Sequence, residues 1–504
     1  MPKKDDFKGQ VVKSGKWVGL QSAFTFFFSF LQIWILTYFI TPEEYGLVAM
    51  ALAFTGFSSV FATLTMSAAI IQKRNTSSEQ LSTLYWLNLL LGLLIYIVLF
   101  TAAPSISSFY SEPRVSIILR ILALSLIISA LVNQFGILLQ KELKFDVLAK
   151  ISISRQFIAS VVAVILAVLG FGVWALVINK LCENVIGSIL MFTQAYKNKW
   201  LPRFIFHLKS IKGHLGFGLF QLLDGTLAQA RSRGVFMIIG SLLGKAPLGI
   251  YNVGYNLVLI PVQKITTIFN KVSFPMYSSI QDEEQRLVKA FLKVLRIQVF
   301  IMAPLYMGIV ATADNFVPLF LGKEWIESVR IIQALAFMPL FIVVIQNCKQ
   351  LVNARGYPKI NFLWQFILLG TLFPVFLIAK FSNIYILAIS LSVLFFMFVF
   401  AYFIFFLSRV IVINKKSLSI AILIPFAVSL AMAFCVYMYN FIDMNILQRL
   451  VLQIFSGIFL YSILSFIFQR KHIGELIEIL PLKIQNNLNK DTIHKKAYAK
   501  DLSG

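Results

Sequence analysis

Acidic residues are scarce in this chain. Its 504 residues include 21 Asp and Glu against 45 Lys and Arg, four His and three Cys, and all charged residues together make up 13%. A soluble domain carries about 25% charge and about 45–50% apolar residues. Here 59% are hydrophobic. A water-soluble fold of that composition would expose far too much apolar surface, so a soluble globular protein is excluded. Cys182, Cys348 and Cys435 lie in apolar runs without CxxC partners, which excludes a disulfide scaffold and a cysteine metal site. Walker A, HExxH and GxSxG patterns are absent, and His207, His214, His472 and His494 sit in or beside polar segments. ATP hydrolysis, metal chemistry and triad catalysis therefore have no sequence support, and the expectation is a protein that is not an enzyme and uses no cofactor.

What fills the chain is apolar runs. A membrane helix needs about 20 such residues to cross about 30 Å of hydrocarbon. Fourteen runs qualify: 17–40, 46–71, 81–103, 115–139, 147–169, 173–196, 214–243, 248–280, 287–313, 329–352, 360–380, 384–408, 418–440 and 446–469. The basic segment 1–16 shows no cleavage pattern, so the first run is expected to be retained.

The net charge of +24 would suggest nucleic acid in a soluble protein, but its distribution points elsewhere. With the N-terminus inside, the inner segments are 1–16, 72–80, 140–150, 197–212, 281–296, 349–359, 409–417 and 470–504. They hold thirty-two of the 45 Lys and Arg; the outer segments hold only Arg114, Lys245, Lys323 and Lys380. Positive charge collects on the cytoplasmic side of membrane proteins. The reading is an all-α polytopic protein of about fourteen transmembrane helices, both termini cytoplasmic. The last segment has apolar residues at helical spacing over His472–Ile484, which suits either a surface helix or a disordered basic tail.

One internal echo hints at duplication. Gly46 follows the first run and Gly249 the seventh, each just after a short turn containing a proline, Pro42 or Pro247. Duplicated halves with a substrate path between them are common in transporters.

Charges inside spans cost about 2.5–3.5 kcal/mol each at the helix centre, so they mark cavities or pairs. Seven stand out. Arg155 lies in the fifth run, Lys180 and Glu183 in the sixth, Asp224, Arg231 and Arg233 in the seventh, and Lys264 in the eighth. Lys180 and Glu183 are i,i+3 neighbours able to pair. Asp224 and Arg231 share a helix face, and one of the two arginines is expected to pair with Asp224 or with another helix. Arg231 and Arg233 lie on opposite sides, so both cannot enter one narrow pocket; Arg231 is favoured as the cavity residue. Asp224 and Glu183 are candidates for ion coupling or charge pairing. Five cations against two acids suit an anionic substrate, above all a phosphate or pyrophosphate. Arg120 and Arg330 lie near helix ends and can snorkel. Gln21, Gln32, Asn88, Gln134, Asn179, Gln221, Gln229 and Gln365 suit either sugar hydroxyls or interhelical hydrogen bonds.

Several short stretches resemble the polysaccharide-transport family of the MOP superfamily, which contains Wzx-type flippases and the teichuronic-acid and colanic-acid exporters. They are Thr41-Pro42-Glu43-Glu44-Tyr45-Gly46-Leu47-Val48-Ala49-Met50, Ala69-Ile70-Ile71-Gln72-Lys73, Leu248-Gly249-Ile250-Tyr251, Val272-Ser273-Phe274-Pro275-Met276-Tyr277, Leu321-Gly322-Lys323-Glu324-Trp325 and Asn353-Ala354-Arg355-Gly356-Tyr357-Pro358. The resemblance implies two six-helix lobes, 17–196 and 214–408, joined by a linker at 197–213, with helices thirteen and fourteen appended at 409–469 and a tail at 470–504. It also implies a flippase in the bacterial inner membrane. Its partners would be membrane lipids, an undecaprenyl-pyrophosphate-linked oligosaccharide, H+ or Na+ as coupling ion, and polysaccharide polymerase or assembly proteins. Leu64-Thr65-Met66-Ser67 lacks the Asp-Leu-Gly that many relatives carry there, so no coupling role transfers to that position. The alternatives are a multidrug exporter of the same superfamily, a membrane polysaccharide polymerase or ligase, and a non-transporting scaffold.

Overall fold

The computed structural model describes residues 4–72, 77–207 and 219–469. Every regular element among them is helical. In hydrocarbon no water can satisfy backbone groups, so a segment that crosses must close its own hydrogen bonds, and a helix does so. Fourteen membrane-scale helices result. They are α1 (Lys4–Thr37), α2 (Pro42–Gln72), α3 (Ser78–Tyr110), α4 (Arg114–Lys141), α5 (Phe145–Val168), α6 (Val173–Lys197), α7 (Leu219–Leu242) and α8 (Lys245–Ser279), followed by α9 (Glu284–Phe320), α10 (Ser328–Ala354), α11 (Pro358–Phe381), α12 (Ile384–Phe405), α13 (Lys415–Tyr437) and α14 (Ile446–Phe468). Among the described residues twelve are long and apolar enough to cross a membrane by composition. The two others are α7 and α8, which carry Asp224, Arg231, Arg233 and Lys264. The chain is a multi-pass membrane protein.

Local sequence explains the ends and breaks. Ser77 caps α3 with a full capping box closed by Gln80. Asn383, Asn414 and Asn445 cap α12, α13 and α14 through their side-chain oxygens. Helix α10 breaks between Leu335 and Met338, where Pro339 begins the second piece; α11 breaks at Gly370-Thr371. Helix α1 starts at Lys4, so the basic segment expected before residue 17 continues the first span as helix. The stretch His472–Ile484, residues 73–76 and residues 208–218 lie outside the described residues.

Helices α1–α6 pack on one another, chiefly α1 on α5, α5 on α6, α3 on α4 and α2 on α4. Among α7–α12, α7 packs on α11, α8 on α10, and α10 on α12. Helix α2 makes the main contact between these groups, against α7 and α8. Helix α13 lies along α9, and α14 packs on both. A buried polar knot fastens that attachment: Asn315 of α9 donates to Gln453 Oε1 at 2.9 Å and to Asn440 Oδ1 at 2.6 Å, and Arg449 donates to Asn315 at 3.4 Å. The outer surface is apolar, with Leu94, Ile189, Phe373, Phe400 and Phe455 projecting from it, as a lipid-facing surface requires.

Other interhelical hydrogen bonds come from amides the sequence singles out. Gln32 of α1 donates to Asn179 of α6 at 3.0 Å and accepts from Ser160 of α5 at 2.8 Å. Asn88 and Gln134 donate to the carbonyls of Ala130 and Leu81, joining α3 to α4. Arg120 donates to the Phe100 carbonyl and lies over its ring, 4.7 Å from the centroid. The three cysteines are free thiols.

Candidate functional site

The α1–α2 and α7–α8 turns meet at one end of the molecule. A side chain at Gly46 would run into the carbonyl of Lys245, and one at Gly249 would run into the carbonyl of Pro42. The two echoed glycines thus form one reciprocal contact, each lying four residues past the carbonyl that its partner approaches. Around it, Lys245 bridges Glu112 at 3.1 Å and Glu43 at 3.4 Å. The hydrogen bond to Glu112 raises the pKa of this ammonium, which sits at the helix tip before the apolar run begins. Glu44 accepts from the backbone N–H of Thr41 and of Val173, both at 3.1 Å, tying the turn to the start of α6. Trp325 Nε1 donates to the Thr37 carbonyl at 3.0 Å, and its ring meets Tyr45 edge-on at 5.2 Å. This end of the interface between the two helix groups is closed.

Farther along the same interface lies a charge cluster. Lys180 and Glu183 of α6 pair at 2.8 Å, as their i,i+3 spacing predicts. Arg155, which has no acid within a turn of its own helix, reaches Glu183 from α5 at 3.8 Å. Gly187, one turn beyond Glu183, leaves room for it: a Cβ there would stand 3.2 Å from Arg155 Cδ. Lys264 arrives from α8, donates to Thr25 Oγ1 of α1 at 2.9 Å, and interacts electrostatically with both Arg155 and Glu183. Three cations surround one carboxylate. Lys180 and Arg155 keep 45% and 40% of their side chains accessible, so the cluster faces open space and retains donors for a further anion.

A second polar site lies within α7–α12. Asp224 does not pair with Arg231 or Arg233, as the spacing along α7 had suggested. Both its oxygens accept from Lys349 of α10 at 3.2 Å. Lys349 falls in the overlap of the apolar run 329–352 and the inner segment 349–359, and α10, which ends at Ala354, keeps it inside the helix. A local helical face can suggest a partner, whereas the real one came from a helix more than a hundred residues away.

The two arginines of α7 point in different directions, as an angle of about 200° between them demands. Arg233 lies against α2, where a Cβ at Gly56 would stand 2.7 Å from its Nε. Arg231 turns the other way, its Cζ 5.2 Å from the centroid of Phe395, and lines a cavity of about 250 Å³ with Lys349, Gln263, Gln346 and Gln365. Of these, Lys349, Gln263 and Gln346 carry no sequence signal of their own. The charges expected to share one cavity therefore divide among three places: the α5–α6–α8 cluster, the α2–α7 contact, and the α7–α12 cavity. The side chain of Gln221 lies outside the described residues. Among the described residues no group of three or more His, Cys, Asp or Glu gathers as metal ligands would.

The whole-chain arrangement has known counterparts. Its fold matches that of the Lipid II flippase MurJ in an inward closed conformation, with a TM-score of 0.73 at 19% identity, covering 90% of this chain and 99% of that one. In sequence it is 29% identical to the teichuronic acid biosynthesis protein TuaB of Bacillus subtilis over 355 residues, 70% of this chain and 73% of TuaB. It is 25% identical to the lipopolysaccharide biosynthesis protein WzxC of Escherichia coli over 356 residues, 70% of this chain and 72% of WzxC. Residues 35–330, more than half of the chain, match the family model described as polysaccharide biosynthesis protein. The chain belongs to this polysaccharide biosynthesis protein family.

Proposed function

We propose that this protein is a flippase that moves a lipid-pyrophosphate-linked oligosaccharide from the inner to the outer leaflet of the bacterial inner membrane. One observation carries the reading: Arg155, Lys180 and Lys264 converge around the single carboxylate of Glu183 where α5 and α6 meet α8. The surplus of positive charge inside a membrane domain is costly unless an anion completes it. A pyrophosphate does so, with the guanidinium of Arg155 binding it through a fork and the two ammonium groups acting as point charges. The names of TuaB and WzxC place relatives in polysaccharide assembly, which supports a glycan on that lipid carrier.

The closed end supports alternating access. Helices α2 and α8 cross at Gly46 and Gly249, and α8 carries Pro261 beside Gln263 and Lys264. A proline removes one helical hydrogen bond and gives the helix a place to bend. In this reading the two six-helix lobes, 17–196 and 214–408, rock about that contact, driven by an H+ or Na+ gradient, with both termini cytoplasmic. Arg233 sits where the lobes slide, against α2. Asp224 and Glu183 each hold a protein cation, so a coupling ion would act by exchanging with Lys349 or Lys180. The protein acts on no covalent bond in this scheme and hands its cargo to a polymerase outside.

The test is genetic. Deleting the gene in its host is expected to leave complete lipid-linked repeat units on the inner leaflet, and wild type to restore their export. Arg155→Ala/Lys264→Ala is expected not to restore it. Repeat units that still reach the outer leaflet but stay unpolymerised would replace the transporter reading with a polymerase.

A further inference from the structure

The last turns of α6 carry a groove away from both the charge cluster and the α7–α12 cavity. Phe192, Thr193, Tyr196, Lys197 and Leu201 line a space of about 410 Å³ there. The local sequence builds it. Lys199 takes a left-handed conformation, φ 53°, and the N–H of Trp200 donates to the Ala195 carbonyl at 3.1 Å. A turn of this kind ends a helix and is most often made by glycine. It folds Trp200 back against Phe135, the ring centroids 5.3 Å apart, and leaves Leu201 exposed at the groove. The chain beyond is strapped to α3. The N–H of Arg203 donates to Ser82 Oγ at 3.0 Å, Trp86 Nε1 donates to the Arg203 carbonyl at 2.8 Å, and Phe204 stacks on Trp86 at 5.0 Å.

Two features narrow what fits. The first is continuity with the bilayer. Val185, Ile189, Phe192 and Tyr196 recur at i, i+4, i+7 and i+11 and so share one face of α6. Val185, Ile189 and Tyr196 are exposed, so a hydrocarbon chain reaches the groove along this stripe without leaving lipid. Phe204, 92% exposed, and Tyr196 mark the level where acyl chains meet headgroups. The second feature is charge. Lys197, Lys199 and Arg203 are exposed around this turn. The acids nearby are taken, Glu142 by Lys144 at 2.8 Å and Glu79 by His207 at 3.0 Å. Among the described residues no carboxylate pairs with Lys197, Lys199 or Arg203. The helix dipole accounts for a cation in the last turn of α6, but not for Arg203 beyond it. A free anion would have no use for the apolar walls, and a zwitterionic lipid gains less from the cations.

We propose that this groove binds one anionic phospholipid of the surrounding bilayer, an acyl chain lying between Tyr196 and Leu201 and the phosphate on Lys197 and Lys199. The lipid sits where the linker between the two helix groups leaves the first of them, with the strapped chain from Trp200 to Phe204 as its rim. The site opens on the lipid-facing surface rather than between the helix groups, so it stands whether or not the protein is a flippase.

The experiment uses the full chain in phosphatidylcholine nanodiscs with and without phosphatidylglycerol. In a protein whose three cysteines are replaced by serine, Thr193→Cys places one thiol in the groove. Phosphatidylglycerol is expected to slow its reaction with a maleimide at least about fivefold, since a basic residue near a membrane surface contributes about that factor. Lys197→Gln/Lys199→Gln is expected to abolish the protection, and Lys415→Gln/Lys416→Gln, the same charge loss at the start of α13, to keep it. Native mass spectrometry is expected to show one phosphatidylglycerol retained by wild type and lost from the first variant alone. Equal loss in both variants would reduce the effect to net charge and overturn the site. Protection by inorganic phosphate in plain phosphatidylcholine would make it a free-anion site and overturn the lipid. The substituted residues are all exposed, and thermal unfolding matching wild type checks that each variant folds.

Discussion

Gly46 and Gly249 touch the same junction from opposite sides, each lying against the carbonyl of the residue that opens the other's helix, Lys245 and Pro42. Two helix starts cross there with no side chain between them. Any larger residue must push α2 and α8 apart at the closed end.

The first prediction concerns that junction. Gly46→Val is expected to open it, since overpacking a tight contact costs about 1–3 kcal/mol. In a protein whose three cysteines are replaced by serine, Leu47→Cys, beside the contact at a position only 1% exposed, should resist a membrane-impermeant thiol reagent. Adding Gly46→Val should make it react readily. Equal labelling in both would show that the glycine contact does not close this end.

The Asp224–Lys349 pair gives a second. Their side chains are 26% and 17% accessible, so removing either leaves a largely buried charge alone. Lys349→Met and Asp224→Asn are each expected to destabilise by about 3 kcal/mol, and the double variant to recover most of that loss. Thermal unfolding in detergent reads all three. Strict additivity would mean that the two groups do not interact.

Glu183→Gln makes a third. It frees Lys180 and Arg155 to repel each other and Lys264. Because the cations are partly exposed, the expected stability loss is modest, about 1 kcal/mol. Affinity for inorganic pyrophosphate should rise at low salt and fall back as salt screens the charges. An affinity unchanged by both the variant and salt would remove the cluster from the anion path.

A fourth addresses the last two helices. Asn315→Leu cuts the knot to Gln453 and Asn440 and removes one acceptor of Arg449, which keeps the carbonyls of Ile442 and Met444. The expected cost is about 1–3 kcal/mol, with proteolysis near α14 appearing before the rest of the protein unfolds. Unchanged protease sensitivity would show that apolar packing alone holds α14 to α9.

Much of the molecule was legible in the one-dimensional pattern. Each of the fourteen apolar runs is a membrane-scale helix, because a crossing segment must satisfy its own backbone whatever its neighbours do. The pair Lys180–Glu183 was legible for a similar reason: both partners lie on one turn. The divergence of Arg231 and Arg233 follows from helical angle alone. Lys349 was not legible, since a lysine at the end of an apolar run reads equally as a loop residue, and only the tertiary structure places it opposite Asp224.

Composition and periodicity by themselves determined that this chain lives in lipid as a bundle of helices, and which few residues carry charge into it, because those are properties of each segment and its solvent. Which charges meet was decided only by the tertiary structure. Glu183 draws Arg155 from another helix, Asp224 draws Lys349, and Arg231 is left facing a cavity. Pairing across helices depends on distances between surfaces that lie on different segments of the chain, 125 residues apart for Asp224 and Lys349, and no local period encodes them.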